Sequence, residues 1–200
     1  MKAMRTAILL AAFFGGLMQF SSCGFRPERP DASADQAQIT DSTLLARGHA
    51  YLATAQDSLR KHLIGNIQSG GAASAIEFCN VHALPLLNSP TPGPLSIKRT
   101  SIRYRNVENA PDSAELAILE GFQKLHLAKQ AIEPLLFEHN GTYHYYEPIL
   151  MQPLCLQCHG KVDADIAPET LAVIDALYPT DRARNYSAGD LRGMFHIAFQ

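Results

Sequence analysis

The sequence lacks several features that would assign it to particular classes of protein. Its 200 residues carry a formal net charge of only -2 with a pI near 6.4, so no electrostatic attraction to nucleic acid is expected. No internal repeat or low-complexity tract is present. Apolar residues make up 46% of the chain, which suffices for a core, and the length fits a single folded domain with a leader.

The N-terminal apolar run, residues 7–20, is too short to span a bilayer comfortably. Basic residues precede it and two serines follow it, directly before Cys23, which is the layout of a secretory signal. A cysteine at this place resembles the bacterial lipoprotein processing site. We interpret residues 1–22 as a lipoprotein signal peptide and Cys23 as an acylated anchor, with ordinary secretion and a free Cys23 as the alternative. The expected location is the bacterial periplasm or cell envelope, lipid-anchored to a membrane.

Residues 23–40 are rich in proline, alanine and aspartate and are predicted to form a flexible spacer, and residues 41–200 a single domain. Leucine periodicity, a capping box at Asp112 and Glu115, and the hairpin signal Asn140-Gly141 predict the elements of that domain. The predicted helices cover residues 41–69, 72–84, 112–130 and 168–178, and the predicted strands cover 95–103, 135–139, 142–146 and 191–199. This order indicates an α+β fold, an antiparallel sheet flanked by helices with a long N-terminal helix.

Residues 155–159, Cys-Leu-Gln-Cys-His, match the pattern of c-type haem attachment. Two thiols at this spacing add to the two vinyl groups of a porphyrin, and the adjacent histidine reaches the iron. Cys155 and Cys158 are therefore predicted anchors of one covalent haem c, and His159 an iron ligand. Two other interpretations compete: a thioredoxin-like dithiol formed by the same cysteines, and a zinc site completed by Cys79 and His82.

The four cysteines leave Cys79 without an assignment once lipid and haem are accounted for. A lone thiol in an oxidising compartment needs an explanation. Cys79 is either a small buried apolar residue or the second iron ligand, and His82 is its nearest competitor. Three further side chains could reach the metal in principle: Met151, Met194 and His196.

Five segments of the sequence resemble a family of single-haem proteins with a PAS-like fold, typified by a cyanobacterial c-type cytochrome with His and Cys iron ligands. The matching segments are residues 75–80, 105–112, 145–149, 153–160 and 189–193. The resemblance implies a PAS-like sheet around the haem, Cys79 as distal ligand, His159 as proximal ligand, and Cys155 with Cys158 as thioether anchors. Arg105 and Arg192, within these segments, are candidate partners of the haem propionates.

Two protein ligands would leave the iron without an open position, which favours electron transfer or redox sensing over catalysis. The expected partners are a redox protein of unknown identity and a membrane, reached through the lipid anchor. A thiolate ligand predicts a low reduction potential. The alternatives are a peroxidase-type haem enzyme, for which His82 would be the distal acid or base, and a dithiol oxidoreductase that uses Cys155 and Cys158.

Overall fold

The structure is a computed structural model that describes residues 42–87 and 94–200. The predicted signal peptide, Cys23 and the spacer lie outside the described residues, as does Asp41, the predicted first residue of the domain. Within the described ranges, no helix has both the length and the apolar character needed to cross a bilayer.

The domain begins with a long kinked helix, α1 (Ser42–Leu87). Gly71, at φ 75° and ψ -176°, interrupts its helical geometry, which confirms the break predicted at Gly70-Gly71. The second half runs to Leu87, beyond the predicted end at Leu84. It continues through Pro85, whose missing N–H removes one backbone hydrogen bond near the end of the helix.

The strands form an antiparallel four-stranded sheet in the order β1-β4-β3-β2. They are β1 (Ser96–Thr100), β2 (Leu135–His139), β3 (Thr142–Leu150) and β4 (Leu191–Phe199). The hairpin predicted at Asn140-Gly141 joins β2 to β3. The α+β class and the antiparallel sheet are confirmed, and a sheet of this kind with a long N-terminal helix fits a PAS-like fold.

Two strands differ in length from the prediction. β3 extends to Leu150 rather than Tyr146 because it pairs along its whole length with the central strand β4. β1 ends at Thr100 rather than Arg103, because Ser101 turns away from the sheet. The amide of Ser101 donates to the carbonyl of Asn109, and its hydroxyl donates to the carbonyl of Arg192.

The other helices are α2 (Ser113–Leu127), α3 (Leu156–His159) and α4 (Pro168–Leu177). The predicted capping box is confirmed, since Asp112 and Glu115 exchange side-chain and backbone hydrogen bonds. α2 stops short of the predicted Gln130 because Lys129 adopts a positive φ of 56°. The sequence did not predict α3 or the 3-10 turns at Val107–Asn109 and Pro153–Cys155.

Each face of the sheet carries its own apolar cluster. On one face, the first half of α1 packs Leu52 against Ile97, Tyr145 and Ile197. On the other face, α2 packs against the sheet through a cluster that contains Leu119, Phe122, Tyr146 and Met194. Because successive residues of a strand point to opposite faces, neighbouring residues of β1 serve different layers.

Candidate functional site

One cavity lies on the face of the sheet that α1 covers. The periodic apolar residues of α1 have two roles. Leu45 and Leu52 belong to the sheet core, whereas Leu59, Leu63 and Ile67 line the cavity. The apolar lining consists of Leu59, Leu63, Ile67, Ile76, Ile149, Met151 and Leu154. These side chains give the cavity an apolar wall.

The cavity brings together most of the residues that the sequence singled out. Its lining includes Cys79, Cys155, Cys158, His159, Arg105 and Arg192. Of the other ligand candidates, Met151 lies in the lining, whereas Met194 is buried in the cluster beneath α2 and His196 points to that same face. The structure therefore places the three thiols and the imidazole of His159 around one cavity.

His82 does not take part in the cavity. Its side chain is exposed, and its ring packs on Phe78 with ring centroids 4.6 Å apart. His62, from the first half of α1, stacks on the same phenylalanine. Cys79, three residues before His82, faces the cavity instead. The residue proposed for zinc and for peroxidase-type acid-base chemistry thus lies away from the other candidates.

The segment that carries the cysteines is held by backbone hydrogen bonds to the loop before β4. The carbonyl of His159 accepts from the amide of Tyr186 at 3.0 Å, and the carbonyl of Gly160 accepts from the amide of Asn185 at 2.8 Å. Position 160 requires glycine, because a Cβ there would lie 2.5 Å from Cβ of Asp165. Glycine at this position therefore lets the side chain of Asp165 approach the backbone directly after His159.

The imidazole of His159 has a defined protonation state. Burial, together with the charges of Arg192 and Arg105, lowers its pKa well below 6.5, so the ring is neutral at neutral pH. Nδ1 lies 2.7 Å from the carbonyl oxygen of Ala183, and a carbonyl can only accept, so Nδ1 carries the proton and donates. Nε2 then keeps its lone pair. This tautomer is the one that metal-ligating histidines adopt.

The thiols of the cavity are not activated as those of a dithiol enzyme would be. Burial raises the pKa of Cys158, and it raises the pKa of Cys79, where Arg99 and Arg105 act in the opposite sense. Reactive redox cysteines show lowered pKa values. Cys79, Cys155 and Cys158 are all free thiols in the described part of the chain. The electrostatics therefore give no support to the dithiol interpretation.

Arg105 is buried and already engaged. Its Nε lies 3.2 Å from Oδ1 of Asp181, a carboxylate whose side chain has no solvent exposure. Its terminal nitrogen donates to the carbonyl of Cys158 at 2.5 Å and to that of Ala183 at 3.4 Å. The guanidinium thus ties the cysteine segment to the loop before β4.

The other two arginines of the cavity lack an acidic partner. Within residues 42–87 and 94–200, Arg99 forms no hydrogen bond or ion pair, and Arg192 donates only to the backbone carbonyl of Arg103. Burial lowers the pKa of both groups, that of Arg192 to about 10, and a guanidinium keeps its charge in proteins. Among the described residues, the buried side-chain oxygen of Asn109 has no hydrogen-bond partner. The cavity is therefore rich in uncompensated positive charge and polar groups.

Sequence reasoning missed Arg99 and Asn109 as site residues. The signal for Arg99 was visible, because the alternation of the predicted strand placed it on the same face as Leu95 and Ile97. An arginine on the apolar face of a half-buried strand needs a partner in the interior. Asn109 gave no comparable signal, since its position depends on the 3-10 turn that follows Arg105.

The family model described as Tll0287-like matches residues 32–199, which is most of the chain. The chain belongs to the Tll0287-like family. Among solved structures, the crystal structure of the cyanobacterial heme-protein Tll0287 is similar to this Tll0287-like protein, with a TM-score of 0.55 and 24% sequence identity. The alignment covers 76% of this chain and 94% of that one, and it supports the fold. No curated protein sequence matches.

A second depression in this Tll0287-like protein is an open cleft of about 420 Å³ between α2 and the start of β4. It shares Arg192 with the cavity and is otherwise lined by residues such as Arg103, His126 and Tyr186. No cysteine lines it. In the described part of the chain, no three His, Cys, Asp or Glu side chains are grouped so that they could hold a metal ion by themselves. The cavity lined by Cys79, Cys155, Cys158 and His159 is therefore the candidate site.

Proposed function

We propose that the cavity binds one haem, attached covalently through Cys155 and Cys158, with His159 and Cys79 as the iron ligands. One observation carries the proposal: a single cavity is lined by all four of these residues, although Cys79 comes from a distant helix. His159 supports the assignment because its Nε2 has a free lone pair. Membership of the Tll0287-like family and the fold shared with a heme-protein also favour haem.

The charge of the cavity fits a group that carries two carboxylates, as haem does. Taking a guanidinium partly out of water without an anionic partner costs free energy, and the half-buried Arg99 and Arg192 are in that situation. We assign these two arginines to the two carboxylates. Asn109 can contribute a donor, since its amide can turn to present nitrogen instead of oxygen. Arg105, which the sequence also predicts as a partner, adds charge while Asp181 holds its guanidinium.

Bound haem supplies reversible one-electron chemistry at its iron. The residues of this chain determine how that chemistry is used. His159 and Cys79 together would fill both axial positions, so electron transfer or redox sensing is favoured over catalysis of a reaction on substrate. The apolar side chains of α1 reduce the contact of the site with water. Thiolate ligation by Cys79 stabilises the ferric state and predicts a low reduction potential.

The same proposal includes the N-terminal region. Residues 1–22 would direct export, and acylation of Cys23 would tether the domain to a membrane in the cell envelope, where it exchanges electrons with a redox partner protein. Mass spectrometry of the mature N-terminus tests this step. A lipid-modified Cys23 is expected, and a mature chain that begins at another residue contradicts the anchor.

The haem proposal is tested with the full chain produced in a host that attaches haem c. Haem should remain with the protein after denaturation and acid extraction, and it should be lost from a Cys155→Ala/Cys158→Ala variant. Wild-type protein without covalent haem would overturn the proposal. The second test compares Cys79→Ala with His82→Ala, the matched variant on the same helix.

The ferric EPR spectrum should show a low-spin thiolate signature in the wild type and in His82→Ala, and should lose it in Cys79→Ala. A wild-type reduction potential as high as that of a His/Met cytochrome would contradict thiolate ligation.

A further inference from the structure

The carbonyl oxygen of Ala183 accepts two donors that come from different parts of the chain. Nδ1 of His159 donates to it at 2.7 Å, and the terminal nitrogen of Arg105 donates at 3.4 Å. Ala183 itself is fully buried. Since this carbonyl accepts the hydrogen bond from the His159 ring, its direction determines how the ring is turned.

Arg105 contacts the backbone on both sides of the hydrogen bond between His159 and Ala183. The nitrogen that approaches Ala183 also donates to the carbonyl of Cys158, the residue directly before His159, at 2.5 Å. Its Nε and terminal nitrogen face the two oxygens of Asp181 at 3.2 and 3.4 Å. The planar guanidinium directs its N–H groups toward these acceptors in one fixed fork, with one hydrogen of the terminal nitrogen shared between two acceptors, whereas a lysine ammonium offers no such fork.

Asp181 completes the arrangement from the other side. Its Oδ1 accepts the backbone amide of Ala183 at 2.9 Å, and its Oδ2 accepts Nε of Arg184 at 2.7 Å. Burial acts to raise the pKa of Asp181, but the charge of Arg105 and the hydrogen bonds from Arg184 and Ala183 lower it, so the carboxylate is ionised at neutral pH. Hydrogen bonds thereby hold residue 183 at both its amide and its carbonyl.

We propose that the buried Arg105–Asp181 pair is a positioning clamp, which fixes the Ala183 carbonyl and so sets the orientation and the donor strength of the His159 imidazole toward iron. This inference rests on the proposed haem function. A stronger and better aligned hydrogen bond at Nδ1 makes the imidazole a better electron donor and favours ferric iron. Loosening the clamp should weaken that bond and allow more than one ring orientation.

The test uses haem-loaded protein with the charge-conserving variant Arg105→Lys, compared with Arg103→Lys. Arg103 is a matched control because it also donates to carbonyls of this loop, those of Arg182 and Arg184, but not to Ala183 or Cys158. The measurements are the ferric EPR g values, the reduction potential and the haem content. Asp181→Asn is the second variant, since it keeps the volume of the side chain and removes the ion pair.

In Arg105→Lys we expect normal haem content, a low-spin EPR signal that broadens or splits into several species, and a potential shifted so that the ferrous fraction rises roughly tenfold at a fixed potential. Asp181→Asn should change the EPR signal in the same way, and Arg103→Lys should match the wild type.

Wild-type spectra and potential in both clamp variants would overturn the inference and leave the haem proposal intact. Loss of folded, haem-loaded protein in both would also overturn it, because the pair would then hold the fold rather than orient one ligand. Absence of covalent haem in the wild type would instead reject the proposed function.

Discussion

The two faces of the sheet handle buried charge in contrasting ways, and neighbouring residues of β1 show the difference. Lys98 points toward α2, where its Nζ lies 2.7 Å from Oε2 of the buried Glu115. The other oxygen of Glu115 accepts Nδ1 of His196 at 2.9 Å, and His196 in turn contacts His144 at 2.9 Å. Arg99 points toward the cavity and, within residues 42–87 and 94–200, forms no ion pair with a carboxylate.

The α2 face is electrostatically complete within the chain. Both oxygens of Glu115 have cationic or donor partners, and the capping box satisfies the start of the helix. Under the proposed function, an anionic group completes the cavity face. In a well-packed protein, buried polar groups that have no hydrogen-bond or ion-pair partner indicate a binding site for a ligand that the chain does not itself supply.

Removal of Glu115 gives the largest expected effect. Glu115→Ala leaves Lys98 and His196 without their acceptor in a site where the carboxylate is 1% exposed. The free energy of unfolding should fall by about 4 kcal/mol. Urea titration followed by circular dichroism measures it.

Glu120→Ala is the control, since Glu120 is an exposed glutamate on the same helix. It should change stability by less than about 0.5 kcal/mol. Equal effects at the two positions would show that the network under α2 contributes nothing beyond helix formation.

Acid should act on the α2 face in particular. Burial alone would raise the pKa of Glu115, but the hydrogen bonds from His196 and Lys98 lower it to about 2, below its ordinary value of 4.5. Between these values the unfolded chain binds more protons than the folded one. The stabilisation from Glu115, roughly 3 kcal/mol, is therefore fully present above pH 4.5 and is lost as the pH falls toward 2.

Unfolding titrations at several pH values check this window, with Glu115→Gln as the comparison. The variant should start from a lower stability and lose less of it on acidification. A wild type and a variant with parallel pH profiles would mean that another group controls the acid response.

The smallest expected effect is the change in the free energy of unfolding caused by Arg99→Met, and it tests whether Arg99 pairs with the bound group. Arg99→Met removes a half-buried cation, which pairs with no carboxylate of the described residues, from the haem-free Cys155→Ala/Cys158→Ala protein and should raise its free energy of unfolding by about 1 kcal/mol. In the haem-loaded protein the same change removes a carboxylate partner and should lower stability by about 1 kcal/mol. Opposite signs support the assignment of Arg99. The same sign in both backgrounds would show that Arg99 does not pair with the bound group.

Prediction from sequence succeeded where the signal was local. The Asn140-Gly141 turn, the Asp112–Glu115 capping box and the break near Gly71 are each encoded within a few residues. The predictions were wrong where the end of a helix or strand depends on contacts with residues distant in the sequence. β1 ends at Thr100 because Ser101 bonds to Asn109 and Arg192, and no short window of sequence contains that information.

The candidate site was predicted in the same uneven way. Cys155, Cys158 and His159 could be identified because one contiguous motif carries the chemistry. Asp181 gave no signal, since its role depends on contacts with Arg105, far earlier in the chain. Arg99 was visible as an arginine on an apolar strand face, but its lack of a partner became evident only when the surrounding elements were in place.

The sequence by itself determined the local elements and the thiol and imidazole chemistry of residues 155–159, because both depend on residues adjacent in the chain. It did not decide between Cys79 and His82, which lie within one turn of the same helix. The tertiary structure places them differently. Ile76 packs against Ile166, Ile174 and Tyr178, and this contact rotates the helix so that Cys79 faces the cavity while His82 faces outward. The rotation of a helix about its axis is set by what it packs against, and those contacts are distant in sequence.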